Sequence, residues 1–122
     1  MTDEILIKLL RGEHVGAEAP VREPLKMRDL VARIVDELRR ERWFPRPWEP
    51  AQPGEPVHEG GTIERRGRWR YVYHWQRHHP ISPTTLAEQG QRVFLTAAGA
   101  ARHYLRWDLN LPGRLDAHEV ID

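Results

Sequence analysis

Glu64 and His74 have the side chains that general acid–base chemistry uses, and they fall on two neighbouring predicted strands. A carboxylate and an imidazole can exchange a proton across such a pair. The nearby arginines Arg68 and Arg70 could bind an anion at the same place. A ribonuclease that works without a metal could use this set. The same residues are also typical of a solvated strand face, which we favour, and we predict no catalytic residue.

Metal and cofactor chemistry has weaker support in the sequence. His74 and His78 would share one face of a strand, but Pro80 follows closely. No nearby Asp, Glu or Cys completes the four ligands that structural zinc usually takes. The chain also has no phosphate-binding loop, nucleophile elbow or dinucleotide fingerprint. We therefore predict no metal site and no cofactor.

The histidine and the two arginines belong to a stretch that alternates with period two. Only an extended strand separates alternate residues onto opposite faces in this way. One predicted face is aromatic and suited to a core, with Trp69, Tyr71, Tyr73 and Trp75. The other is basic and hydrogen-bonding, and is left for solvent or a partner, with Arg68, Arg70, Val72, His74 and Gln76.

Further elements must position this strand. Apolar spacing predicts a helix from Thr2 to Gly12 and a second from Pro24 to about Arg42. A proline-rich loop occupies residues 45–61, because no regular element tolerates so many prolines. Short strands are predicted at 62–65 and 91–95, then a helix over 97–110 capped by Thr96. Val120-Ile121 can add a last strand.

The predicted element order is α-α-β-β-β-α, with the option of a final β. It indicates an α+β fold, with a small antiparallel sheet of three to four strands and helices packed on one face. At 122 residues the whole chain, 1–122, forms one domain.

Composition narrows the classes of protein further. There is no cysteine, so disulfides and thiolate metal sites are excluded. No apolar run is long enough to cross a membrane. The acidic start, Met1-Thr2-Asp3-Glu4, lacks the features of a signal peptide, and we expect a cytoplasmic bacterial protein. The net charge is only +1, but residues 61–79 hold five arginines against Glu64.

Two stretches near the C-terminus carry a resemblance. They are a helical Ala-Ala-x-x-Tyr-Leu pattern at 100–105 and a Leu-Pro-Gly-x-Leu-Asp tail at 111–116. Together they resemble the end of immunity proteins from bacterial polymorphic-toxin loci. The resemblance implies a protein that binds and neutralises a cognate toxin, and is not an enzyme. Immunity proteins against nucleases tend to be acidic, and this chain is not. The implied toxin therefore has an acidic patch or is not a nuclease.

For such a protein we expect the mechanism to be occlusion of the toxin's active site by the basic strand face. The expected partner-binding residues are Arg68, Arg70, His74 and Gln76, with Arg66 and Trp48 at the rim. Arginine and tryptophan are frequent anchors of protein interfaces. The oligomeric state is left open.

Two alternatives remain open at the level of sequence. The basic strand, with Arg68, Arg70, Tyr73 and His74, partly resembles that of mRNA interferases, which are small ribonuclease toxins. Those proteins need further strands near the C-terminus, whereas here a helix is predicted after Leu95. The second alternative is an RNA- or DNA-binding accessory domain, because basic and aromatic residues alternate over 66–73.

Overall fold

A computed structural model describes residues 24–47, 53–108 and 120–121. Its elements are β1 (Leu25–Lys26), α1 (Met27–Arg40), β2 (Trp43–Phe44), β3 (Gly60–Gly67), β4 (Arg70–His78), β5 (Leu86–Phe94), α2 (Ala97–Asp108) and β6 (Val120–Ile121). Strands β2 to β5 form an antiparallel sheet in the order β2-β3-β4-β5, while β1 and β6 form a separate parallel pair. The predicted α+β fold with a small antiparallel sheet is confirmed.

Both helices lie on one side of the sheet. α2 packs against β3, β4 and β5, and α1 packs against α2 and β2. We call this side of the sheet the helix face and the other the open face. Phe44, Ile63 and Tyr73 point from the helix face into the core, where they meet Tyr104 and Leu105 of α2. α1 adds apolar residues at helical spacing, namely Leu30, Val31, Ile34 and Leu38.

The central hairpin begins its second strand later than the alternating pattern from Arg68 predicts. β3 extends through Gly67, and the two-residue turn is Arg68–Trp69, closed by pairing of Gly67 with Arg70. The predicted start of the strand at Arg68 is therefore wrong. Trp69 was expected in the core, but the turn leaves it 66% exposed. The other three aromatic residues lie on the predicted face, since Tyr73 is buried and Tyr71 and Trp75 pack partly buried against the core.

The bounds of two other elements, α1 and β5, also differ from the prediction. α1 begins at Met27 rather than Pro24, because Leu25–Lys26 is extended and pairs with β6. β5 runs over Leu86–Phe94 instead of 91–95, because β4 pairs with its whole length. The predicted helix 97–110 is observed from Ala97 to Asp108, the last described residue before 120, and Thr96 Oγ1 accepts the Gly99 amide at 3.0 Å as the expected cap.

The proline-rich segment is shorter than predicted, since Gly60 and Gly61 already belong to β3. Its end is fixed to the loop between β4 and β5, because the Val57 amide donates to the Pro83 carbonyl at 2.7 Å. Residues 48–52 and the predicted helix at 2–12 lie outside the described residues.

Candidate functional site

The open face is built by the register of its strands. Trp43 pairs with Glu64, Glu64 with Val72, and Thr62 with His74, so all of these side chains share one face. Val72 was predicted to face solvent but is fully buried, lying between Glu64 and Val93 in the sheet. The exposed part of the face combines polar and aromatic side chains with Val93, which is 50% exposed.

Glu64 is the centre of this face and is only 4% exposed. Its Oε2 accepts a 2.6 Å hydrogen bond from Arg42 Nη2, and its Oε1 accepts one of 2.7 Å from Arg66 Nε. His74 Nε2 lies 3.1 Å from the same Oε1. An ionised carboxylate can only accept, so this nitrogen must carry a hydrogen. One buried carboxylate thus holds three cationic or polar side chains, which we call the Glu64 cluster.

Opposing effects set the pKa of Glu64. Burial acts to raise the pKa, but the hydrogen bonds from Arg66, His74 and Arg42 outweigh burial and lower the pKa below its ordinary value of 4.5. The carboxylate is therefore ionised at neutral pH. Its partners remain accessible, since the Arg42 and Arg66 side chains are 63% and 41% exposed.

A cleft of about 520 Å³ opens beside this cluster. Trp43, His74, Gln76 and Gln91 contribute to its walls, and the Trp43 and His74 rings lie 5.7 Å apart. Gln76 is held in place because its Nε2 donates to the His58 carbonyl at 2.6 Å. The cleft offers hydrogen-bonding groups beside an indole ring, which suits a polar partner with an apolar contact.

The predicted partner-binding residues do not all meet at one place. Arg66 and His74 come together around Glu64, and Gln76 lines the neighbouring cleft. Arg70 is exposed at the first position of β4. Arg68 lies in the hairpin turn, with its guanidinium 5.4 Å from the Trp69 ring, rather than on the strand face. Trp48 lies outside the described residues.

Arg42 and Trp43 belong to the site but were missed as site residues in the sequence. Their position depends on β2, which is two residues long and too short for a periodic pattern to show. The aromatic pair Trp43-Phe44 just after a helix was the available signal. The contact of Glu64 with His74, in contrast, was foreseen from their places on neighbouring strands and is confirmed.

Within residues 24–47, 53–108 and 120–121, no three His, Cys, Asp or Glu side chains cluster closely enough to hold a metal ion. His74 and His78 instead contact Glu64 and Glu59, respectively. No helix in the described part of the chain has the length and hydrophobicity to cross a membrane.

Comparison with known proteins finds no matching family model, no matching curated protein and no matching solved structure.

Proposed function

We propose that this chain is a binding protein of the immunity type, which neutralises a cognate bacterial toxin by covering its active site with the open face. The observation that supports the proposal best is the Glu64 cluster. It holds exposed guanidinium groups in fixed positions around a buried carboxylate. Preorganised side chains lose little conformational freedom on binding, which favours affinity.

The charge of the cluster favours an acidic partner. Arg42 and Arg66 outnumber Glu64, so the cluster stays positive even when His74 is neutral. Arg68 and Arg70 add further exposed cationic groups along the hairpin. Complementary charge speeds association and selects the partner. An acidic patch around a toxin's active site would fit this surface.

The state of Glu64 argues against the ribonuclease alternative. A general base is most effective when its pKa is near the working pH. The three hydrogen bonds to Glu64 lower its pKa and occupy the oxygens that would accept a proton. The contact between Glu64 and His74 therefore suits a fixed binding surface better than proton transfer.

The test is co-expression of the chain with the product of the gene next to its own. Size-exclusion chromatography with mass measurement should show a stable complex, and the chain should abolish the neighbour's toxicity. Arg68→Glu and Arg70→Glu should each weaken the complex about tenfold, a typical effect at a charged interface. Arg39→Glu is the matched control, because Arg39 lies on α1, on the other side of the sheet, with a 76% exposed side chain.

Two results would contradict the proposal. In the first, the chain alone arrests growth when overexpressed, which favours the ribonuclease alternative. In the second, the complex forms but is weakened equally by Arg39→Glu and Arg70→Glu, which excludes the open face as the contact surface.

A further inference from the structure

A second surface of the protein combines arginine and aromatic side chains on the helix face. It lies between α2 and β5, and two adjoining cavities of about 390 and 560 Å³ share Arg92, His103 and Trp107 along it. We call it the α2–β5 cleft. The Glu64 cluster is on the opposite face of the sheet, so the two surfaces are separate.

His103 organises the aromatic part of the cleft. Its ring lies 4.7 Å from the Tyr73 ring, 5.2 Å from Phe94 and 6.0 Å from Trp107. Trp107 is 57% exposed, which is unusual for so large an apolar side chain. An exposed indole at the edge of a cleft offers a flat surface on which a planar ring can stack.

The charged part of the cleft is positive. α2 carries Arg102 and Arg106 at exposed positions, and its single acid, Asp108, is buried and accepts hydrogen bonds from Gly61 and Tyr73. Across the cleft, the Arg92 guanidinium lies 5.2 Å from the Phe94 ring. Neither Arg92 nor Arg102 forms an ion pair with a carboxylate of the described residues.

We propose that the α2–β5 cleft binds a single-stranded polynucleotide, with phosphates on Arg92, Arg102 and Arg106 and a base stacked on Trp107. Proteins that bind single strands combine a positive groove with exposed aromatic rings in this way. The Asp and Glu residues of an acidic peptide bring carboxylates for the arginines but no planar ring for the indole, whereas every nucleotide brings both a phosphate and a base. The observations therefore favour the polynucleotide. Strand binding at this cleft does not require toxin binding at the open face.

The pKa of His103 depends on the charges in the cleft and should therefore respond to a bound phosphate. Burial lowers the pKa of His103, and the positive charges of Arg92 and Arg106 lower the pKa further. Other groups beside it are the Tyr73 hydroxyl on β4 and, on α2, Arg102 and the buried Asp108. A phosphate bound by the arginines would offset their charge and raise the pKa of His103. Binding should accordingly strengthen as the pH falls and His103 becomes protonated.

The experiment measures fluorescence anisotropy of end-labelled oligodeoxyuridine and oligouridine strands, titrated with the full chain at two salt concentrations. Trp107→Ala should weaken binding about tenfold through loss of stacking. Arg102→Glu should weaken it by a similar factor and make it less sensitive to salt, because a phosphate contact is lost. Both side chains are exposed, so the fold should persist, which circular dichroism checks. Preference between oligouridine and oligodeoxyuridine, which differ only in the 2′-hydroxyl, tells whether that group is read.

Arg39→Glu on α1 is again the matched control and should bind both strands like the unchanged chain. Arg70→Glu should also leave strand binding unchanged, which separates this proposal from the toxin-binding one. Polyglutamate that binds as tightly as the strands would overturn the proposal and indicate an acidic-peptide site. Absence of strand binding at low salt, or unchanged binding by Trp107→Ala, would overturn it as well.

Discussion

At the scale of single residues, Glu64 is a charged group that stays buried because three neighbours donate to it. Glu64→Gln removes the charge but keeps the shape, so Arg42 and Arg66 lose their ionic partner. We expect a loss of about 1–3 kcal/mol in the free energy of unfolding at neutral pH, typical for a hydrogen-bonded charged group. Urea denaturation of the two chains measures it. Glu41→Gln is the control, because Glu41 is more exposed and lies 3.9 Å from Arg46.

The pH dependence of this difference has a definite sign. The pKa of Glu64 is lower in the folded than in the unfolded chain, so the unfolded state binds a proton more readily. Its stabilising contribution is present above the unfolded value of 4.5 and is lost as the pH falls through the folded value. The unchanged chain and Glu64→Gln should therefore converge in stability in acid. A difference that grew as the pH fell would contradict this role for Glu64.

Asp108 is the second buried acid with a structural function. Its Oδ1 accepts the Tyr73 hydroxyl at 2.5 Å, and its Oδ2 accepts the Gly61 amide at 2.7 Å, so it fixes the end of α2 to β3 and β4. Burial, and then the nearby Asp108, raise the pKa of Tyr73. Tyr73 should therefore remain a neutral donor over the pH range in which the chain is folded.

We expect Asp108→Asn to cost about 1–3 kcal/mol in the free energy of unfolding, because the amide brings a donor where two donors already point. Tyr73→Phe should cost less, since it removes one donor only. The double variant should lose less unfolding free energy than the sum of the two single losses, because the two side chains share one hydrogen bond. A double-mutant cycle of chemical denaturation measures this difference. Full additivity would show that the two side chains do not interact.

At the scale of elements, the sequence predicted the types of the described helices and of β3, β4 and β5, but not all of their bounds. The alternation of β4 was visible because aromatic and polar residues occupy opposite faces. The first half of β5, Leu-Ala-Glu-Gln-Gly, has little strand propensity, and its conformation is set by pairing with β4. Trp69 was misplaced because a period-two pattern does not show where a hairpin turns.

Gly90 lies in the middle of β5 although glycine has a low propensity for strands, and its contact with Trp75 explains why. It pairs with Trp75, and a β-carbon at Gly90 would lie 2.6 Å from Cζ2 of the Trp75 ring. The indole thus covers the backbone of the neighbouring strand. We expect Gly90→Ala to cost about 1–3 kcal/mol, because the ring must leave its position.

Gly67 offers a matched control for this prediction, since no atom lies within 4 Å of a β-carbon added there. Gly67→Ala should change stability little, or raise it slightly by restricting the unfolded chain. Thermal unfolding of both variants measures the change in stability that each substitution causes. Equal effects at the two positions would show that the Trp75 ring moves without cost.

At the scale of the whole molecule, the net charge of +1 does not show that arginines gather at two surfaces, one on each face of the sheet. The sequence correctly located excess arginine near the central hairpin, but part of it is neutralised by Glu64. In the α2–β5 cleft, Arg102 and Arg106 lie one helical turn apart on α2, but Arg92 comes from β5 and joins them only through the packing of α2 on the sheet. No spacing pattern in the sequence could show that arrangement.

The pairing of β1 with β6 has a consequence for the order of folding. Leu25 and Lys26 pair with Val120 and Ile121, from opposite ends of the described chain, whereas β3, β4 and β5 pair with their neighbours in sequence. Closing so long a loop costs more entropy than closing a hairpin, for a contact of only two residues on each side. The hairpins and α2 should therefore assemble first. The pair of β1 and β6 should form last on folding and separate first on unfolding.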